Sequence, residues 1–203
     1  MKIKIIALLL AVLMLTGCGQ TPDTESTATT NVTTETEVSS EPEASAETQE
    51  TASEEPYIVT FDAPTLEGEN ITSDIFAESK LTMLNVWATY CNPCLNEMPD
   101  LAEIAVAYDP ADFQMLGIIS DVSVFSDADA VSVATDLVAQ TGAAAYPHLL
   151  LNQSLYDTLV GGIDSVPTTF FVNQEGELLG YVIGAQAKET WEGIIDELLA
   201  QME

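Results

Sequence analysis

Along residues 56–203 the spacing of apolar side chains switches between two periods, and each switch marks an element. Leu81–Trp87 is a nearly continuous apolar run, as expected of a strand buried on both faces. Helical periodicity follows from Asn92 to Tyr108, where Asp109-Pro110 ends it. Phe113–Ser120 predicts a second buried strand, and Asp127–Thr141 a helix with Gly142 as its stop. His148–Leu151 predicts a short strand and Ser154–Val160 a helical turn or two. Thr168–Asn173 and Leu178–Ile183 flank Gln174-Glu175-Gly176-Glu177, a hairpin turn signal. Ala187–Met202 predicts a closing amphipathic helix with Trp191, Ile194, Ile195 and Leu198 on one stripe. Ahead of these, Tyr57–Phe61 and the stretch around Gly68–Ile71 predict a leading hairpin. Strands alternating with helices, then a late hairpin, imply an α/β fold: a mixed, partly parallel central sheet flanked by helices.

Upstream the pattern is different. Residues 1–17 have a basic start (Lys2, Lys4), an apolar stretch (Ile5–Leu15) and small residues before Cys18. That is a secretion signal, too short to be a stable membrane span. Residues 19–55 are mostly Thr, Ser, Glu, Ala and Pro, with ten acids and no Lys or Arg. Such a segment cannot bury enough surface to offset the entropy of ordering it. Segment 18–55 is therefore expected to be a disordered acidic tether, reaching roughly 120 Å when fully extended and about 35 Å as a flexible coil. Residues 56–203 suffice for one well-cored domain.

Charge narrows the function classes. Residues 56–203 hold 23 acids against two lysines, Lys80 and Lys188, and the whole chain has no arginine. Nucleic acid, which needs cations for its phosphates, is excluded as a partner. Electrostatic attachment to an anionic membrane is excluded as well.

The chemistry lies at Trp87-Ala88-Thr89-Tyr90-Cys91-Asn92-Pro93-Cys94. Two cysteines at C-x-x-C spacing follow a buried strand and open a helix. Cys91 then meets the free N–H groups and the positive end of the helix dipole, which favour a thiolate. Cys94 is spaced to close a small-ring disulfide with it. Thiol–disulfide exchange is the chemistry this spacing suits, and it needs no cofactor.

The arrangement resembles the thioredoxin fold over residues 57–203, with an N-terminal hairpin and a central βα insertion. Trp87 stands four residues before Cys91, as the W-x-x-x-C pattern requires, and Pro93 holds the third C-x-x-C position. Ser165-Val166-Pro167-Thr168 matches the loop that carries a cis-proline opposite the cysteines. Leu15-Thr16-Gly17-Cys18 resembles the bacterial lipobox, which implies cleavage before Cys18 and lipid on its sulfur. With the long interval between Cys94 and Pro167, these features resemble the TlpA/ResA-like group of extracytoplasmic, membrane-anchored thiol–disulfide oxidoreductases. The resemblance implies that Cys91 attacks, Cys94 resolves, and Trp87, Pro93, Val166 and Pro167 support the site. It also implies that Glu97, on the apolar stripe of the helix, tunes thiol protonation. Asn85 stands where cytosolic thioredoxins carry a buried acid, which leaves Glu97 as the expected proton shuttle.

Other chemistries fit less well. A peroxiredoxin needs an arginine beside its cysteine, and Thr89 stands two residues before Cys91 rather than three. Zinc wants four ligands, and His148, the single histidine, is far off in sequence. Copper delivery of the Sco type wants C-x-x-x-C, and haem attachment wants a histidine where Leu95 stands. His148 and Trp191 read as structural. The implied function is reduction of disulfides in exported proteins, with apocytochrome c or methionine sulfoxide reductase as substrates. Electrons would come from a membrane thiol transporter of the CcdA/DsbD type. A lipid-anchored disulfide oxidant and a non-enzymatic binding module stand as the alternatives.

Overall fold

The computed structural model describes residues 55–202, so the signal segment, Cys18 and nearly all of the acidic tether lie outside the described residues. The elements are β1 (Asp62–Pro64), β2 (Asn70–Thr72), β3 (Leu81–Trp87), α1 (Asn92–Ala105), β4 (Phe113–Ser123), α2 (Ala128–Thr141), β5 (His148–Leu151), α3 (Gln153–Thr158), β6 (Thr168–Asn173), β7 (Leu178–Ile183) and α4 (Lys188–Ala200). A five-stranded sheet runs β5-β4-β3-β6-β7. β3, β4 and β5 are parallel, while β6 and β7 are antiparallel to their neighbours.

β3 lies at the centre and is buried along its whole length. Its side chains alternate between two cores, as a period of two requires. Leu81, Met83 and Trp87 join a core that also contains Leu101, Ile104, Val138 and Trp191 from α1, α2 and α4. Leu84 and Val86 join a second core with Phe61, Phe76, Leu155 and Phe170 on the opposite face. Asn85 belongs to the first face and so lies beneath α1, a polar residue in an apolar layer.

The expected strands at residues 81–87, 148–151, 168–173 and 178–183 form with those bounds. The leading hairpin is displaced. Its strands are Asp62–Pro64 and Asn70–Thr72, not Tyr57–Phe61 and Gly68–Ile71. Tyr57–Val59 instead lies beside the end of the β6–β7 turn, where Ile58 bridges Glu177 and the Val59 N–H donates to the Gly176 carbonyl at 2.8 Å. Helix α1 ends at Ala105 rather than Tyr108. Tyr108 turns out of helical register to pack on Phe113 and to donate to Asp196 at 3.0 Å. Asp127 caps α2 by accepting from the Ala130 N–H, and Gly142 closes that helix in the left-handed region at φ 74°.

Candidate active site

Strand β3 delivers the chain to the sheet edge at Trp87, and five residues later α1 begins. Cys91 is the N-cap of α1, and its sulfur accepts from the Cys94 N–H at 3.2 Å. The two sulfurs form a disulfide. Pro93 lies in the first turn, where a missing N–H costs nothing. Cys91 is 5% exposed and Cys94 fully buried, so the first sulfur is the one within reach of a partner. A thiolate released on Cys91 would keep the amide of Cys94 and the positive helix end as its stabilising charges.

The loop before β6 faces this sulfur. The Val166–Pro167 peptide bond is cis. The carbonyl oxygen of Val166 lies 3.7 Å from Cys91 Sγ. The Pro167 carbonyl accepts from the Gly184 N–H at 2.8 Å, and Thr168 Oγ1 donates to the Ser165 carbonyl at 2.8 Å. Both contacts fix the loop on β6 and β7. On the other side of Cys91, the Asp121 carboxylate accepts from the Thr89 N–H at 3.0 Å and from the Thr89 hydroxyl. This ties the segment leading into Cys91 to the end of β4. Sequence reasoning did not mark Asp121, because an acid at a strand end ordinarily faces water.

Glu97 lies one turn beyond Cys94 on the same face of α1, 4% exposed. Oε1 accepts from Asn85 Nδ2 at 3.2 Å. Oε2 accepts from the Gln186 backbone N–H at 3.1 Å and from Trp191 Nε1 at 3.4 Å. Burial pushes the carboxyl above the ordinary carboxylate value, and the three donors partly offset that. Asn85 Nδ2 also donates to Thr169 Oγ1, while Asn85 Oδ1 is buried without a partner. Glu97 borders a cleft of 320 Å³ lined by Pro93, Asn96, Asp100, Ala185 and Gln186. Two features were legible beforehand: a polar residue mid-strand and an acid on an apolar helix stripe. Their pairing was not. The Gln186 contact uses only backbone, and Trp191 read as core alone.

Trp87 is buried beneath the active-site loop. Its Nε1–H donates to His148 Nδ1 at 3.2 Å, and its carbonyl accepts from Ser120 Oγ at 2.9 Å. His148 Nε2 lies 2.9 Å from the Ala143 carbonyl, which can only accept, so that nitrogen carries the proton and Nδ1 is the acceptor. The imidazole is thereby held neutral, and burial lowers its pKa from the ordinary value. His148 is structural here. Gly117 makes room for it, since a Cβ on Gly117 would overlap His148 Nδ1.

Fold and sulfur pair together define a class, a thioredoxin-like protein carrying a dithiol–disulfide couple at a helix N-terminus. The model of the AhpC/TSA family matches residues 57–179. The thiol–disulfide oxidoreductase ResA of Bacillus anthracis is 29% identical over 151 residues, covering 73% of this chain and 79% of its own. A thioredoxin-family thiol:disulfide interchange protein from Chlorobium tepidum superposes with a TM-score of 0.59 at 22% identity, over 73% of this chain and 99% of that one. The exposed lipoprotein thioredoxin Etrx1 of Streptococcus pneumoniae superposes with a TM-score of 0.53 at 24% identity, over 68% and 98%. The chain belongs to the AhpC/TSA family and is a thiol–disulfide oxidoreductase similar to ResA.

Proposed function

We propose that this protein reduces disulfides in exported proteins, outside the cytoplasmic membrane, through Cys91-Asn92-Pro93-Cys94. The observation that carries this reading is the asymmetry of the two sulfurs. Cys91 Sγ sits at the surface end of α1, 3.2 Å from a free helix N–H, while Cys94 is fully buried behind it.

In the reduced protein, the Cys91 thiolate attacks one sulfur of a substrate disulfide. The substrate S–S bond breaks, a mixed disulfide forms, and the departing sulfur leaves as thiolate and takes a proton from water. Cys94 then loses its proton, and Glu97 is the acceptor for it, one helical turn away. The Cys94 thiolate attacks Cys91 Sγ and releases the second substrate sulfur. Two electrons have passed to the substrate, and the protein ends as the Cys91–Cys94 disulfide. The Val166 carbonyl and Pro167 line the face where the substrate backbone lies during exchange. Trp87 and Pro93 hold the geometry of the loop.

The surroundings follow from the same reading. The segment before residue 55 is a secretion signal and acidic tether, with lipid on Cys18 holding the domain at the membrane. The lipoprotein thioredoxin of Streptococcus pneumoniae supports that arrangement. A reductase in an oxidising compartment needs a supply of electrons, and a membrane thiol transporter of the CcdA/DsbD type is the donor. Apocytochrome c and methionine sulfoxide reductases are the candidate substrates. Peroxide reduction is disfavoured, since the sequence has no arginine to stabilise a peroxide beside Cys91.

Two variants test the mechanism. Cys91→Ser should abolish reduction of a protein disulfide, and Cys94→Ser should accumulate a mixed disulfide visible on a non-reducing gel. If both variants keep wild-type activity, the exchange mechanism is wrong.

A further inference from the structure

The end of the sheet that leads into the disulfide also carries an apolar surface that the exchange chemistry does not use. β3, β4 and β5 are parallel neighbours, so their C-terminal ends share one edge. Cys91 follows β3. Phe125 follows β4 and is 93% exposed. Tyr156, in the short helix after β5, is 51% exposed. Phe125, Tyr156, Leu151 and Ser123 line a groove of 170 Å³.

Phe125 is held out in water by an ordered turn. The Val124 N–H donates to the Leu151 carbonyl at 3.0 Å, the Phe125 N–H to Ser123 Oγ at 3.2 Å, and the Ser123 N–H to Ser126 Oγ at 3.0 Å. A phenylalanine fixed in solvent beside a second exposed aromatic marks a contact surface rather than a scattered apolar residue. The Thr89–Asp121 contact joins the turn's strand to the loop of Cys91. Adjacent strands are about 4.8 Å apart, so an extended polypeptide on Cys91 reaches the β5 end within about three residues.

Charge selects the occupant. Asp157 lies against the groove, its carboxylate accepting from the lining Gln153 at 2.7 Å, and Asp121, Asp127 and Asp129 stand within four residues of Phe125 in the chain. Both lysines of the described residues are engaged elsewhere. Lys80 pairs with Asp112 at the opposite end of β3, and Lys188 pairs with Glu103. An apolar floor with an anionic frame repels acidic partners and anionic lipid alike.

We propose that this groove docks a cationic, partly apolar stretch of polypeptide flanking the substrate disulfide. The assignment rests on the exchange reading for its biological sense, but its test does not. A short, fluorescently labelled, cysteine-free peptide of lysine, leucine and phenylalanine is titrated into the oxidised full-length chain and followed by anisotropy. Phe125→Ser combined with Tyr156→Ser should weaken binding about tenfold. Phe125→Leu with native Tyr156, which keeps an apolar side chain on an already exposed site, should bind close to wild type. Replacing every lysine of the peptide by glutamate should weaken binding at least about tenfold, and about 0.5 M salt should remove most of that preference.

Equal affinity for the two peptides, or unchanged affinity in the double variant, would overturn the assignment. So would sedimentation equilibrium showing a wild-type dimer that the double variant dissolves, because the occupant would then be a second copy. Adsorption to zwitterionic vesicles that is lost in the double variant, without peptide binding, would contradict it too. Because the peptide has no cysteine, a chain that binds it yet fails to exchange disulfides would defeat the exchange reading alone.

Discussion

Two buried tryptophans flank the disulfide, and each spends its indole N–H on a different kind of partner. Trp87 donates to a neutral imidazole whose other nitrogen is satisfied by a backbone carbonyl. Trp191 donates to a carboxylate that also draws on Asn85 and the Gln186 amide. The first network is closed, with every polar atom of Trp87 and His148 partnered and no charge to move. The second is open. It holds a titratable group, leaves Asn85 Oδ1 without a partner and borders a surface cleft. Buried polar groups are costly unless satisfied. The closed network therefore serves as scaffold, and the open one is where the proposed proton transfer from Cys94 would fall.

The contrast can be broken at either end. The largest effect is expected from Glu97→Ala, which strands three inward-facing donors and should cost about 3–5 kcal/mol of stability in denaturant unfolding. Gly117→Ala strikes the closed network through sterics alone. Its Cβ displaces His148 from the indole of Trp87, and the expected loss is about 2–3 kcal/mol. Exchange in this variant should keep the wild-type pH profile. Trp191→Phe should cost about 1 kcal/mol, yet it should move the pH profile of exchange. Loss of one donor removes an influence that lowers the Glu97 pKa, so the inflection should shift to higher pH.

The smallest effect separates the networks by the sign of their pH dependence. The His148 pKa is depressed below 6.5, so its contribution to stability is complete above that pH and is lost as pH falls through the folded value. The Glu97 pKa is raised above 4.5, so its contribution is complete below that pH and is lost as pH rises through the folded value. Thermal unfolding across pH 4–8 should show the acid-side loss disappear in His148→Asn. The loss on the rising side should disappear in Glu97→Gln. An identical pH response in the two variants would remove the distinction.

How much of this was legible in the sequence depended on where the information lay. The four strands predicted with correct bounds are short and mostly apolar, three of them carry β-branched residues, and three begin or end at turn residues. The hairpin was misplaced because Tyr57–Val59 carries a strand-like pattern whose partner, Gly176-Glu177, lies more than a hundred residues away. The sulfur pair was legible from spacing alone. Glu97 was noticed because an acid on the stripe of Met98, Leu101 and Ile104 breaks the pattern. Its partners were hidden for separate reasons. Asn85 shares a layer with it only once α1 crosses β3, Gln186 contributes a backbone amide that any residue would supply, and the indole of Trp191 is indistinguishable from core. Asp121 was hidden in the same way, since the Thr89 contact exists only because β3 and β4 are neighbours.

The central claim is that Cys91 and Cys94 form a reducing couple. Its most direct test is the reduction potential of the pair, measured by equilibrating the full-length chain with defined dithiothreitol buffers. The account predicts a value near that of thioredoxin, about −270 mV. A value near about −120 mV, that of a strong oxidant, would mean the protein introduces disulfides and would contradict the account.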